Sequence, residues 1–124
     1  MKPSTVVTAK QLADAVVQGL QDKKGLSIVV MDLRKVRGAI SDYFVICSGT
    51  SDKHVQALGD TVWEEVRVKW NDKPINIEGR SKGEWILMDY VNVVVHIFLE
   101  DKRRFYDIEG LWGDAVTVKV PQAW

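Results

Sequence analysis

The run Asp42 to Ser48 (DYFVICS) limits the fold most tightly, because Phe44, Val45 and Ile46 are apolar in succession and any strand they form must be covered on both faces. A strand with one wet face alternates apolar and polar residues, whereas this one belongs in the middle of a sheet with packed layers on either side. The residues that follow extend the unit. Gly49 and Thr50 lead out of the strand, Ser51 is an N-cap residue, and Asp52 puts negative charge in the first helical turn. Val55, Leu58, Val62 and Val66 then recur at spacings of three and four, which predicts a helix ended by Asn71 and Pro74. Glu65 and Lys69 stand in the favourable i,i+4 order, but such a pair adds only about 0.2–0.5 kcal/mol, so the apolar stripe decides the packing.

Upstream, Thr8-Ala9-Lys10-Gln11 has the form of a capping box, and Ala9, Leu12, Val16 and Leu20 continue at helical spacing. A first helix is expected from Ala9 to Lys24, then Gly25, then a strand over Leu26 to Leu33 with RKVRGAIS as a connection. Downstream, a short strand over Ile75 to Glu78 precedes a turn at RSKG and a hairpin of Glu84 to Tyr90 with Asn92 to Leu99. Within the hairpin, Trp85, Leu87 and Asp89 point one way and Ile86, Met88 and Tyr90 the other. Glu100 to Gly110 predicts one short amphipathic helix, with Phe105 and Ile108 on the core and Arg103, Tyr106 and Glu109 displaced around it. AVTVKV reads as an extended tail, whose alternating Val116, Val118 and Val120 suit an edge strand or a self-association contact. Strands joined by short links run antiparallel and a helical crossover favours parallel pairing, so the expected fold is α/β or α+β, a mixed β-sheet flanked by helices. The 124 residues suffice for one core, hence a single domain over 1–124 with tails at 1–8 and 116–124.

Charge and motif content narrow the chemistry. Lysine plus arginine and aspartate plus glutamate both total 17, so no broad positive field exists to hold a nucleic-acid backbone. The one cysteine, Cys47, lies in an apolar run and reads as a buried small hydrophobe. The start of the chain lacks a signal-like apolar block, and no run approaches the roughly 20 apolar residues of a membrane span, so a soluble cytoplasmic protein with no membrane partner is expected. SGTSDKH, from Ser48 to His54, has the strand, turn and helix N-terminus of a phosphate site. It lacks both the P-loop ending and the dinucleotide fingerprint, and no Asp-x-Asp pair follows to hold magnesium. A nucleotide-dependent transferase using the Gly49 to Ser51 turn is the alternative function. His54, His96 and Cys47 have no metal-ligand spacing, and no Gly-x-Ser-x-Gly supports a hydrolase. No metal or cofactor is expected. The aromatics Trp85, Tyr90, Phe98, Phe105, Tyr106 and Trp112 crowd into Ile77 to Ala115, and with arginine they are the residues that anchor protein contacts as well as cores.

Taken together, DYFVICSGTSDKHVQAL, Glu78-Gly79 followed by EWILMDY, VVVHIF and RRFYDIEGLWGDA resemble the ribosomal silencing factor family, also called Iojap, from about Leu12 to Ala115. The resemblance implies a nonenzymatic translational repressor that binds ribosomal protein L-fourteen of the large subunit and blocks joining of the small subunit. It also implies a nucleotidyltransferase-like core without catalytic carboxylates. By motif, the partner-binding positions are Glu78, Trp85, Leu87, Asp89, Arg103 and Tyr106, with Trp85 and Tyr106 as anchors and Asp89 and Arg103 supplying polar register. His96, Leu111 and Trp112 are expected as structural support. A homodimer through the same aromatic surface, and a minor ribosomal RNA contact at Lys102, Arg103 and Arg104, are compatible with that role. The chain departs from the family at Val91, where the family usually has glycine. A β-branched residue tolerates positive φ poorly, so the turn is expected to shift and give Asn92 the left-handed position.

Overall fold

Local signals set the first elements. Gln11 N–H donates to Thr8 Oγ1 and Thr8 N–H to Gln11 Oε1, both at 3.0 Å, closing the capping box of helix α1 (Ala9–Asp22). The helix stops short of the expected Lys24 because Lys24 takes a φ of 59° and the Gly25 N–H turns back to the Leu20 carbonyl at 2.8 Å. The computed structural model describes residues 7–122. After α1 come β1 (Leu26–Asp32), β2 (Tyr43–Gly49), α2 (Asp52–Trp70), β3 (Asn76–Glu78), β4 (Trp85–Asp89) and β5 (Val93–Leu99). Helices α3 (Glu100–Tyr106) and α4 (Ile108–Leu111) and strand β6 (Val116–Lys119) complete the order.

The strands form one sheet in the order β3-β4-β5-β2-β1-β6, with β2 and β5 parallel and every other neighbouring pair antiparallel. The result is an α+β fold with a mixed sheet. All of β2 is buried, which its two-sided apolar sequence requires. One face carries the main core, where Leu12, Val16 and Leu20 of α1 and Val55, Leu58, Val62 and Val66 of α2 meet Val45, Cys47, Ile86, Met88, Val95 and Ile97. The helices approach closely at Gly19, where a Cβ would meet the Thr61 carbonyl and Val62 Cα at 3.2 Å. The other face carries Val29, Met31, Phe44, Ile46, Val94 and Phe98, and its cover is thinner: α3, the short α4 with Trp112 and Ala115 after it, and the connection after β1. This unequal cover leaves Trp85, Leu87 and Asp89 of β4 half-buried, while Val94, His96 and Phe98 of β5 beside them stay buried.

Beyond β5 one expectation changes and one holds. The helix over Glu100 to Gly110 is broken, because Asp107 takes a φ of 45° and its Oδ1 accepts from the Gly110 N–H at 3.2 Å, starting α4 afresh. Phe105 therefore does not face the core and is 78% exposed. In the carboxy-terminal tail, 116–119 takes the first of the two roles its alternation suits, pairing antiparallel with β1 as an edge strand, Val29 opposite Lys119. Of the expected tails, residues 1–6 and 123–124 lie outside the described residues.

The hairpin turn also departs from expectation. Val91 itself takes the positive φ, 74°, and the Asn92 N–H donates to the Tyr90 carbonyl at 3.0 Å around it, an i to i+2 turn of the strained hand. Its neighbours hold it there, since the Val91 N–H donates to Asp89 Oδ1 at 2.7 Å and the Tyr90 N–H to the Val93 carbonyl at 2.9 Å. Val91 is half exposed, so little packing opposes its replacement. Val91→Gly is expected to stabilise the fold by about 1 kcal/mol, the strain relieved less the entropy that glycine adds to the unfolded chain. A urea melt measures it, and an unchanged or lower midpoint would contradict the account.

Candidate functional site

The hairpin register builds the site. Trp85 lies opposite Phe98, Leu87 opposite His96 and Asp89 opposite Val94, while Glu78 of β3 pairs with Leu87. Directly paired residues share a face, so Glu78, Leu87 and His96 form one row across β3, β4 and β5. Trp85 and Phe98 form the next row, and their rings stack with centroids 5.0 Å apart. Tyr106 of α3 comes to 4.6 Å from the Trp85 ring and 6.4 Å from Phe98. Phe44 meets His96 edge-on at 4.7 Å and Trp112 at 6.2 Å. Phe105, at 5.1 Å from Tyr106, extends this aromatic surface outward. The thin layer thus ends in a rim in which Tyr106, Phe105 and Leu111 are exposed and Trp85 and Leu87 are half-buried.

His96 governs the geometry beneath the rim. The Trp85 indole Nε1 can only donate, and it does so to His96 Nδ1 at 3.1 Å, which puts the imidazole proton on Nε2. Burial pushes the imidazole pKa from 6.5 down to about 4, so the ring is neutral at neutral pH. Because the folded value lies below the unfolded one, the unfolded chain takes up the proton first as the pH falls. The contribution of His96 to stability is therefore constant above about pH 6.5 and is lost between about 6.5 and about 4, an effect on the order of 3 kcal/mol. His96→Gln, which keeps an acceptor for the indole, is expected to flatten that part of the curve of stability against pH. Urea titrations at stepped pH test this, and an equal slope in both proteins would contradict it.

The other residues singled out in the sequence are distributed differently. Glu78 is exposed, its Oε2 accepting from Asn76 Nδ2 at 2.6 Å, and Asp89 holds the hairpin turn. Arg103 points inward, with only 11% of its side chain exposed: Nε and Nη2 donate to the two Glu109 oxygens at 2.8 and 3.1 Å. Its Nη1 donates to the Ser27 carbonyl at 2.7 Å and to Ser48 Oγ at 2.9 Å. Leu111, expected as support, is 75% exposed, because the break at Asp107 swings it away from the sheet. Trp112 lies against Phe44. Sequence reasoning missed the outward Phe105 and the inward pairing of Glu109. The Asp107-x-x-Gly110 spacing was the available signal for both.

The turn at Gly49 to Ser51 is already occupied by the protein's own groups. The Thr50 N–H donates to His54 Nδ1 at 3.0 Å, the Lys53 N–H to Asp52 Oδ1 at 2.7 Å and the His54 N–H to Ser51 Oγ at 3.1 Å. His54 Nε2 in turn donates to the Lys23 carbonyl at 2.9 Å, which ties the turn to the end of α1. These amides are therefore not free to cradle a phosphate. Burial pushes the Cys47 thiol up to about 12, which suppresses the nucleophilic thiolate. Among the described residues, no three of His, Cys, Asp or Glu gather as a metal-binding group, and no helix is long and apolar enough to cross a membrane.

Known proteins share this architecture. A family described as ribosomal silencing factor during starvation matches residues 6–123. A ribosomal silencing factor of Halalkalibacterium halodurans is 35% identical over 111 residues, spanning 90% of this chain and 93% of that protein. A crystal structure of a protein from Chromobacterium violaceum superposes with a TM-score of 0.81 at 30% identity, covering 94% of this chain and 97% of the other. A mouse protein named for mitochondrial assembly of the ribosomal large subunit is 29% identical over 113 residues, 89% of this chain and 49% of its own length. By the match across nearly all of its length, this chain belongs to the ribosomal silencing factor family.

Proposed function

We propose that the chain is a ribosome-binding translational repressor of the cytoplasm that docks on ribosomal protein L-fourteen of the large subunit and blocks joining of the small subunit. It acts by occupying surface, without catalysis or a cofactor. The observation that carries this reading is the aromatic rim itself: Tyr106, Phe105 and Leu111 stand exposed beside a half-buried Trp85. Such a cluster at a thinly covered face is the composition of a protein-contact hot spot. Glu78, Leu87 and Asp89 on the same face of β3 and β4 supply the flanking contacts, with Trp85 and Tyr106 as anchors. Zero net charge favours protein over RNA as the main contact, and Lys102 and Arg104 provide for a minor phosphate contact.

Sedimentation with purified large subunits at low salt tests the proposal. Folded protein is expected to pellet with large subunits and to lower the yield of joined ribosomes. Folded protein that stays in the supernatant would overturn it. A homodimer that uses the same rim would compete with the subunit, and light scattering with and without L-fourteen reads that competition directly. The transferase alternative predicts heat on titration with magnesium nucleotide, whereas the engaged amides of the Gly49 to Ser51 turn predict none.

A further inference from the structure

Helices α3 and α4 carry the exposed part of the rim and contribute no fully buried residue of their own. Something besides a core must hold them in place. Arg103 and Glu109 are separated by 6 positions, and on an unbroken helix residues so spaced lie about 120° apart around the axis and about 9 Å along it, out of reach of each other. The left-handed Asp107 reverses this, since the chain turns between them and Glu109 comes back to receive a two-pronged bond from Arg103. The third prong of the same guanidinium crosses to the sheet, reaching the Ser27 carbonyl and Ser48 Oγ. Ser27 sits at a φ of 50° in the irregularity where the pairing of β1 with β2 shifts register. One planar group therefore ties α3 to α4, to β1 and to the end of β2. A lysine, with its point charge, cannot reproduce that fork.

We propose that Arg103 and Glu109 are positioning residues for the docking face, a brace that sets α3 and α4 on the sheet so that Tyr106 lies against Trp85, while Arg103 itself makes no contact with the partner. The brace gives the proposed docking reading its geometry and rests on it. It assigns a function to a cation whose side chain is only 11% exposed, one that the pattern of charges alone places on the surface.

Arg103→Lys, Arg103→Met, Glu109→Gln and the double variant Arg103→Met with Glu109→Gln test it in the intact chain, with two readouts. Hydrogen exchange needs no partner: amides of residues 100–111 are expected to exchange at least about tenfold faster in each variant, with α1 and α2 unchanged. Affinity for large subunits is expected to fall about tenfold in Arg103→Met and in Glu109→Gln, and no further in the double variant, because a single brace is lost once. Arg103→Lys is not expected to rescue binding. The salt dependence of binding should keep its wild-type slope, whereas a direct phosphate contact by Arg103 would reduce that slope by about one. Normal binding by Glu109→Gln beside weak binding by Arg103→Met would make Arg103 a contact residue and overturn the proposal. So would unchanged exchange in 100–111, or a lower melting midpoint with undiminished affinity in the folded fraction. If the wild-type chain fails to bind large subunits the docking reading falls, and the exchange result still judges the brace.

Discussion

Tyr106→Ala is expected to weaken association with large subunits about thirtyfold, the loss of roughly 2 kcal/mol typical of an aromatic anchor. The melting midpoint is expected to move by no more than about 3 °C. The two effects separate because Tyr106 is 48% exposed and lies on a helix with no buried residue, so the core does not depend on it. Its ring nonetheless completes the stack with Trp85 and Phe98. Trp85→Ala would not separate them. That indole is half-buried, stacks on Phe98 and donates to a buried histidine, so its loss strands His96 Nδ1 and lowers stability together with binding. Sedimentation titrations beside thermal melts read both quantities, and a Tyr106→Ala protein that binds like wild type would remove the residue from the interface.

Phe98→Ala is expected to cost about 4 kcal/mol and to lower the midpoint by about 15 °C. Phe98 has no exposed surface, lies on β5 beside the central β2, and supports the Trp85 ring from within the sheet. Removing it leaves a cavity beneath the rim that the sheet backbone cannot close. Folding stabilities of domains are about 5–15 kcal/mol in total, so this single change takes a large share. Phe98→Leu keeps most of the volume and is expected to cost less than about 2 kcal/mol, while the aromatic stack is lost. Urea denaturation compares them, and a loss below about 1 kcal/mol for the alanine variant would contradict the packing described for Phe98.

What was legible in the sequence follows the range of the interactions. The central strand could be read because burial on both faces leaves a local mark, Phe44-Val45-Ile46, and α1 because its capping box is complete within four residues. The division of β4 into a core face and a site face followed from the strand period alone. Helix α3 was misjudged because Phe105, Ile108 and Leu111 imitate an amphipathic spacing across a break that depends on one backbone dihedral at Asp107. The inward turn of Arg103 is not legible in the sequence because its partners are not local. The Ser27 carbonyl lies 76 positions away and Ser48 lies 55 away, and no spacing rule links them. Val91 was expected to push the turn onto Asn92, yet the bond from its own amide to Asp89 and the pairing of Tyr90 with Val93 hold the strained residue where it is.

The claim at the centre of this account is that the aromatic rim is the surface through which the chain meets the ribosome. A cryo-EM map of the chain bound to the large subunit tests it most directly. The account predicts L-fourteen in contact with Trp85, Leu87 and Tyr106, Arg103 still closed on Glu109, and the α1 and α2 layer turned away from the subunit. A map in which the rim faces solvent and α1 and α2 lie against the subunit would contradict it.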